Sequence, residues 1–366
     1  MELKEKVKFY EKFLKEEYMK KGYVFFTNVP VALYGAGTLG EQWLRFFRNI
    51  GVNVLFFIDD FKEGELDGIP IINFKEFLER KKQIGHLYIT VGDFEVAKRI
   101  KKKIEREFKH IKEICVLNQF VDYEDLKCRC KFQAISEKFA EEYYSYEAVY
   151  KILSDKYSKE LFSMIIALAN FLNSRLDFKV DILILQKIFS EFISKYEKNL
   201  YDESLFLYPE REIHLKKGDI VIECGGIMGH DTKFFAELVG ETGRIFVFEE
   251  PSFFSILKQS IKHLPNVVFF EINFRKFSID DFFKKEKPEK LSFIKIDTGG
   301  FEKEILLKAK NTIRDFRPKL AISLYHKSEF LYEIPLLVKE FVPEYKIFLK
   351  QNEPVFFEGL KLFSTI

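Results

Sequence analysis

The sequence predicts an α/β protein in which two Rossmann-like doubly wound sheets are joined by a helical segment. Buried strands alternate with amphipathic helices over residues 22–120, and again from residue 218 onward. Between them, residues 121–200 repeat apolar side chains every three or four positions, which is helical spacing. Strands that alternate with helices form parallel sheets. We therefore expect three parts: a Rossmann-like nucleotide-binding module at 1–120, a helical linker at 121–200 and a further sheet domain at 201–366.

The first series opens with one amphipathic helix over residues 1–25. Its strands are predicted at 31–34, 54–58, 87–91 and 114–117. Its helices are predicted at 39–50, 74–82 and 94–108. Because each helix separates two strands, right-handed crossovers are expected.

The second series is longer and changes character at its end. Its strands are predicted at 220–224, 245–249, 267–271, 293–297 and 320–325. Its helices are predicted at 232–239, 253–263, 302–308 and 334–341. Three further apolar stretches without an intervening helix indicate antiparallel strands at the sheet edge: 346–350, 355–356 and 360–363.

Composition narrows the classes of partner. A formal net charge of +2 is too small for binding built on phosphate attraction, so nucleic acid is not expected. The sequence has no run of about 18 apolar residues, so no membrane span is predicted. The first helix lacks the apolar stretch of a signal peptide, and the four cysteines suit free thiols, so a cytoplasmic protein is expected. Homo-oligomerisation is left open.

The most informative stretch is a glycine-rich turn after the first strand of the second series. Gly225, Gly226 and Gly229 let the backbone turn sharply between a strand and a helix, and Glu223 precedes them. About 20 residues later, Glu249 stands at the end of the next predicted strand. A glycine turn beside such an acid suits the hydroxyls of an adenosine ribose. We therefore expect a nucleoside-type cofactor at the carboxyl ends of these strands.

Further motifs support a resemblance. They are Gly218–Gly229, Phe248-Glu249, Asp280-Asp281-Phe282, Ile294-Lys295-Ile296-Asp297-x-x-Gly300-Phe301-Glu302 and Lys319–Lys327. Over about residues 203–350 this order of motifs resembles the FkbM family of methyltransferases. The resemblance implies a class I methyltransferase fold that binds S-adenosylmethionine and transfers its methyl group to oxygen, often on sugars. It implies cofactor contacts by these residues: Glu223, Gly225, Gly226, Gly229, Glu249, Asp280 and Asp297.

The sequence also departs from the family pattern. Glu223 replaces the usual Asp of the first motif, and Gly299 stands where the family usually has Glu.

The function that the resemblance implies is an O-methyltransferase for a hydroxyl of a sugar, glycan or sugar-linked metabolite. The alternative is a non-catalytic protein that binds a nucleotide or nucleotide sugar and carries a degenerate methyltransferase domain.

Methyl transfer to a hydroxyl needs a group that assists removal of its proton. His326, at the end of the fifth predicted strand, has the right chemistry for a base, although a structural hydrogen bond would also explain a histidine there. Asp297, at the end of the fourth strand, is predicted to orient the acceptor, hold the cofactor or act as base. The acceptor is expected to be a small molecule or glycan. No ligand cluster in the sequence demands a metal.

The N-terminal module carries a second glycine turn. Gly35, Gly37 and Gly40 open a helix directly after a strand, and Asp59 ends the next strand. By spacing this is a nucleotide-binding unit. It resembles the small modules that accompany sugar-modifying enzymes, which implies a nucleotide or nucleotide-sugar ligand. The same glycines could instead serve packing alone. An NAD-dependent enzyme is weakened because no Tyr-x-x-x-Lys pair follows the module.

Overall fold

The computed structural model describes residues 2–25, 30–49, 52–109, 111, 113–116, 126–173, 185, 188–195, 206–208, 212–351 and 359–366. The chain divides into two compact units. The large unit comprises Met1–Lys15, Arg129–Arg175 and Leu185–Ile366. The small unit comprises Glu16–Cys128 and Leu176–Ile184. The predicted strand at 355–356 and part of the predicted helical run near 182–189 lie outside the described residues.

The small unit is built on one six-stranded sheet. Its strands are β1 (Val31–Tyr34), β2 (Val54–Ile58), β3 (Gly64–Leu66), β4 (Ile69–Ile72), β5 (His86–Ile89) and β6 (Glu113–Val116). They lie in the order β3-β4-β2-β1-β5-β6, and every pairing is parallel except that of β3 with β4. The predicted parallel sheet is thus confirmed, with an added hairpin. Asp67 and Gly68 form its turn with φ of 50° and 74°, which is what an Asp-Gly hairpin requires.

Helices cover this sheet because their apolar faces need a partner. They are α2 (Thr38–Asn49), α3 (Phe74–Arg80), followed by a 3-10 turn at Lys81–Gln83, and α4 (Phe94–Glu107), while α1 (Leu3–Phe25) precedes the sheet. The side chain of Asn73 caps α3 by accepting from Glu76 N at 2.9 Å, and Asp93 caps α4 through Val96 N at 2.9 Å. Buried apolar side chains of the strands, α3 and α4 form one core cluster.

The large unit contains a seven-stranded sheet. Its strands are β7 (Ile220–Cys224), β8 (Arg244–Glu249), β9 (Val267–Glu271), β10 (Phe293–Ile296), β11 (Lys319–Ser323), β12 (Lys346–Gln351) and β13 (Leu360–Thr365). The order is β12-β13-β11-β10-β7-β8-β9. β13 pairs antiparallel with β11 and β12, and all other pairs are parallel. The predicted antiparallel strands at one edge are confirmed, and with them the α/β fold class.

Nine helices with described bounds lie wholly in this unit or begin just before it, and the first part of α1 also belongs to it. They are α5 (Leu126–Glu141), α6 (Tyr143–Ile152), α7 (Lys156–Asn173), α8 (His230–Val239), α9 (Pro251–Ile261), α10 (Ile279–Glu286), α11 (Glu302–Leu307), α12 (Lys310–Phe316) and α13 (Phe330–Phe341). α7 lies against β12, where the Ser158 hydroxyl accepts from Leu349 N at 2.8 Å. Helices of the predicted linker region therefore pack on the sheet. Among the described residues, no helix is long and apolar enough to cross a membrane.

Candidate active site

The glycine turn of the large unit joins β7 to α8 and is held by packing at each glycine. Gly225 has φ of +86°, and a Cβ there would lie 1.8 Å from the carbonyl oxygen of Asp297. A Cβ on Gly226 would meet Val247 and Leu257 below 3.0 Å, and one on Gly229 would meet Ile261 at 2.6 Å. No side chain fits in these positions. The turn therefore lies tightly against the end of β10 and against α9.

A buried ion pair between Lys295 and Glu223 contacts the glycine turn. Lys295 Nζ lies 3.1 Å from Glu223 Oε1 and 3.8 Å from Asp231, and it also donates to the Gly225 carbonyl. The other oxygen of Glu223 accepts from Thr232 Oγ1 at 2.7 Å. Burial raises the pKa of Glu223, although Lys295 opposes this. Burial alone would lower the pKa of Lys295, but the neighbouring carboxylates raise it, so the ammonium stays charged.

The contacts of Glu223 lie within the protein. Its side chain is fully buried, and both of its carboxylate oxygens are engaged with protein donors. It therefore holds Lys295 and the first turn of α8 in place. The cofactor contact predicted for Glu223 stays a prediction.

Glu249, at the end of β8, reaches the turn directly. Its Oε2 accepts from Ile227 N at 2.7 Å, and its Oε1 accepts from Glu250 N at 2.8 Å. Each carboxylate oxygen keeps a second lone pair. The side chains of Ile227 and Met228, next to this hydrogen bond, are exposed. The structure thus brings the predicted acid and the predicted glycines together.

A second group lies where β10 and β11 end. Tyr325 OH donates to Asp297 Oδ1 at 3.0 Å, and His326 Nε2 lies 3.8 Å from the same oxygen. β11 ends at Ser323, two residues earlier than predicted. Burial raises the pKa of Asp297, but Lys295 and Lys361 lower it more, so the net pKa is below its ordinary value. Asp297 is therefore an ionised acceptor at neutral pH.

Behind His326 lies a residue to which the sequence analysis assigned no role. Glu302 Oε1 is 2.7 Å from His326 Nδ1 and also accepts from Thr298 N at 2.7 Å. Glu302 is 0% exposed. Its place in the quoted motif, five residues after Asp297, was the available signal, because the first turn of a helix after a strand points back to the strand end.

Asp280 stands apart from this group. Its two oxygens accept four hydrogen bonds at 2.7–3.1 Å, from the backbone N–H and the side chain of both Asn311 and Thr312. These residues begin α12, so Asp280 caps that helix. All the hydrogen bonds described for its carboxylate are to these two residues. The cofactor contact predicted for Asp280 stays a prediction.

Asp297, Glu302 and His326 are also the set that could hold a metal ion among the described residues. One ligand atom from each lies within 4.8 Å of the others. Carboxylate oxygens with one imidazole suit a divalent cation. The 2.7 Å separation of Glu302 Oε1 and His326 Nδ1, however, is an ordinary hydrogen-bond distance.

The glycine turn of the small unit has the same plan with a different support. Gly35 has φ of +113°, and its carbonyl accepts from Thr90 Oγ1 at 2.9 Å. A Cβ on Gly40 would lie 2.0 Å from that carbonyl oxygen, whereas one on Gly37 would meet nothing within 4 Å. Asp59 Oδ2 accepts from Ala36 N at 2.8 Å. The structure therefore brings all four predicted residues to one turn.

Comparisons with known proteins agree with the division of the chain into two units. Residues 211–350 match the family model of the methyltransferase FkbM domain, and residues 30–104 match that of the PglD N-terminal domain. A comparison with curated proteins finds no match. A solved methyltransferase FkbM from Methylobacillus flagellatus KT is similar along 99% of both chains, with a TM-score of 0.56 and 17% identity.

Two other solved structures are similar over part of the chain. An O-methyltransferase from Bacillus cereus, in complex with SAH, matches 50% of this chain and 90% of its own, with 13% identity and a TM-score of 0.35. Fibrillarin from Aeropyrum pernix, with bound S-adenosyl-L-methionine, matches 41% of this chain and 67% of its own, with 13% identity and a TM-score of 0.33.

The family match identifies residues 211–350, which form most of the seven-stranded sheet, as a methyltransferase domain. More particularly, the large unit of the chain carries an FkbM methyltransferase domain, and the small unit carries a PglD N-terminal domain.

Proposed function

We propose that the protein transfers a methyl group from S-adenosylmethionine to a hydroxyl oxygen of a sugar, glycan or sugar-linked metabolite. One observation carries the proposal: the glycine turn and Asp297 are in direct contact. Asp297 N donates to the Cys224 carbonyl at 2.9 Å, and the Asp297 carbonyl fills the space that a Cβ on Gly225 would need. A cofactor at the turn would therefore lie beside the strand ends that carry the polar side chains.

The residues at the turn fit this cofactor. Glu249 has lone pairs to accept from ribose hydroxyls, and its contact with Ile227 N holds the turn close to it. The exposed apolar side chains of Ile227 and Met228 offer surface to a base. S-adenosylmethionine supplies a methyl group already activated by its sulfonium. The chain has only to bind, align and deprotonate.

Asp297 and His326 serve the deprotonation in this proposal. The lowered pKa of Asp297 keeps it ionised, so it accepts a hydrogen bond from a neighbouring hydroxyl of the sugar and orients the acceptor. The hydroxyl to be methylated donates its single proton to His326 Nε2, which lies 3.8 Å from Asp297 Oδ1 and takes that proton.

For the small unit we propose a nucleotide or nucleotide sugar as ligand. Gly37 supports this, because no packing contact among the described residues explains a glycine there, whereas Gly35 and Gly40 are explained by contacts with Thr90 and with each other. A backbone without a side chain at that place lets a phosphate approach the start of α2. The small unit would then hold a nucleotide-linked molecule.

The first experiment is an isothermal titration of cofactor-stripped protein with S-adenosylmethionine. Wild type and Glu250→Ala are expected to bind in the micromolar range, and Glu249→Ala is expected to lose at least tenfold in affinity. Glu250 is the matched control, because the contact between these neighbours uses only its backbone N–H. A folded wild type that gives no binding would contradict the proposal.

Transfer of a labelled methyl group to a panel of sugars then separates catalysis from binding. In the proposal, His326→Ala loses roughly 10²-fold or more in rate and keeps its affinity for the cofactor. Binding without any transfer would favour the second candidate, a non-catalytic nucleotide-binding protein. The observation behind that candidate is Gly299, where the family usually carries Glu; a Cβ there would meet nothing within 4 Å.

A further inference from the structure

The carboxylate behind His326 is fully buried, as is that of Glu223. Glu302 is 0% exposed, and its Oε1 accepts from Thr298 N at 2.7 Å and lies 3.3 Å from Thr298 Oγ1. The same oxygen lies 2.7 Å from His326 Nδ1. These contacts fix the carboxylate against the turn between β10 and α11. Glu302 is therefore a rigid partner for the imidazole ring.

The chemistry of the pair determines which nitrogen carries the proton. An ionised carboxylate can only accept hydrogen bonds, so His326 Nδ1 must donate to Glu302. In a neutral imidazole the other nitrogen, Nε2, then holds the lone pair. Nε2 lies on the side of Asp297, 3.8 Å from Oδ1. The hydrogen bond to Glu302 thus directs the basic nitrogen toward Asp297.

We propose that Glu302 is the positioning residue of His326: it holds the ring in the Nδ1–H tautomer, with Nε2 directed at the acceptor hydroxyl. This inference rests on the proposed methyl transfer. When Nε2 takes the proton of the hydroxyl, the ring becomes a cation between Glu302 and Asp297. The buried carboxylate stabilises that cation as it forms, in the way that a carboxylate supports the histidine of hydrolytic triads.

The same side chains could instead bind a divalent cation. Glu302 Oε2 is buried and has no hydrogen-bond partner among the described residues, and a cation could coordinate this oxygen. Two contacts oppose this. Oε1 already accepts from Thr298 N, and Nδ1 cannot bind a cation while it donates to Oε1. The hydrogen-bonded pair is therefore the better account, and cation binding is an outcome that the test must separate.

The test is ¹⁵N–¹H correlation of the imidazole rings at a pH where His326 is neutral. The chain has six histidines, so loss of one signal set in His326→Ala assigns the ring. Wild type is expected to show at least a roughly tenfold excess of the Nδ1–H tautomer. Glu302→Gln keeps an acceptor and should preserve that tautomer, whereas Glu302→Leu should lose the excess. Glu304→Gln is the matched control on the exposed side of α11.

Methyl transfer supplies the second measurement. Glu302→Leu is expected to lose roughly 10²-fold in kcat with an unchanged KM for S-adenosylmethionine, and Glu302→Gln should lie between it and wild type. Retained cofactor binding shows that each variant is folded.

Three results would overturn the inference. The first is a wild-type ring in the Nε2–H tautomer. The second is a Glu302→Leu rate equal to that of wild type. The third is broadening of the His326 signals by stoichiometric Mn²⁺ that Glu302→Gln abolishes, which would assign a cation site. Absence of cofactor binding with the expected tautomer present would instead defeat the methyltransferase proposal, and with it the catalytic meaning of the pair.

Discussion

The two glycine turns follow one plan but are supported by different chemistry. In each, a side chain from the neighbouring strand end donates to the carbonyl of the first glycine. In the small unit Thr90 Oγ1 donates to Gly35 O at 2.9 Å. In the large unit the buried ammonium of Lys295 donates to Gly225 O, with Glu223 as its counter-charge. A neutral hydroxyl thus stands where the other turn has an ion pair.

The acids of the two turns are more alike. Asp59 accepts from Ala36 N at 2.8 Å, and Glu249 accepts from Ile227 N at 2.7 Å. A glycine turn with an acid one strand away is therefore explained in both units by contacts within the protein. What differs is the next strand end: Asp297 follows β10, whereas β5 is followed by Thr90. The residues to which we assign proton transfer therefore lie at the strand end in which the two units differ.

The largest expected effect comes from removing the charged support. Lys295→Met leaves Glu223 buried without its partner, which lowers the free energy of unfolding by about 3–5 kcal/mol. Thr90→Val removes one neutral hydroxyl, whose hydrogen is shared between the Tyr34 and Gly35 carbonyls, and lowers the free energy of unfolding by about 1 kcal/mol. Labelling of the buried Cys224 thiol, read by mass spectrometry, measures opening of the large unit. Fluorescence of Trp43, the one tryptophan of the chain, measures opening of the small unit.

The double variant Lys295→Met with Glu223→Gln is the control. It removes both charges and should recover most of the loss, since a neutral buried pair leaves no uncompensated charge. Equal losses in the free energy of unfolding for Lys295→Met and Thr90→Val would contradict the expected difference between the charged and the neutral contact.

The ion pair also predicts a pH dependence for the large unit. The folded pKa of Lys295 is raised above its ordinary value of 10.5, because the neighbouring carboxylates outweigh burial. Its contribution to stability is therefore complete below about pH 10.5 and declines as the pH rises through the folded pKa. Cys224 labelling corrected for thiolate fraction should show faster opening at alkaline pH in wild type. The doubly neutral variant should lack this component.

The next effect concerns two glycines that flank Asp297 in space. Gly225→Ala would place a Cβ 1.8 Å from Asp297 O at φ of +86°, and we expect a loss of about 3 kcal/mol. Gly299→Ala meets nothing within 4 Å at φ of +65°, so only the conformational cost of about 1 kcal/mol remains. The Cys224 opening rates of the two variants check this. Similar rates would mean that the turn yields and does not pack tightly on β10.

Much of the fold was predictable because the strands that matter are short apolar runs next to glycine. The strand predicted at 31–34 and the strand predicted at 220–224 match β1 and β7 residue for residue. The β3–β4 hairpin was not predicted, although Asp67-Gly68 between Leu66 and Ile69 carries its signal. Helices α10 and α12 were not predicted either. For α10, the hydrogen bond that Asp281 N donates to Ser278 Oγ appears in the sequence only as a Ser three residues before an acid.

The candidate site was predictable only in part. A motif identifies residues at strand ends, so Glu249, Asp297 and His326 could be singled out. It does not reveal what else a carboxylate contacts. Glu302 faces His326 because α11 begins directly after the turn, and Asp280 faces α12, 31 and 32 residues further along the chain. Both contacts depend on tertiary packing that spacing does not encode.

A smaller effect separates packing from ligand binding in the small unit. Gly40→Ala would place a Cβ 2.0 Å from Gly35 O, and a loss of about 2 kcal/mol is expected in the Trp43 transition. Gly37→Ala meets nothing and should change stability by less than about 0.5 kcal/mol. If the turn binds a nucleotide, Gly37→Ala should nevertheless weaken binding of nucleoside diphosphates about tenfold. Unchanged binding in this variant would argue that the turn glycines serve packing only.

The smallest effect tests whether Asp280 caps α12 or contacts the cofactor. Asp280→Ala removes the four hydrogen bonds that cap α12 and should cost about 1–2 kcal/mol. Because the carboxylate is fully used there, the affinity for S-adenosylmethionine should change less than about twofold at temperatures where the variant is folded. Asp281→Ala, at an exposed neighbour on the same helix, is the control for both measurements. A tenfold loss of cofactor affinity in Asp280→Ala alone would place Asp280 at the cofactor site and would mean that the cap opens when the cofactor binds.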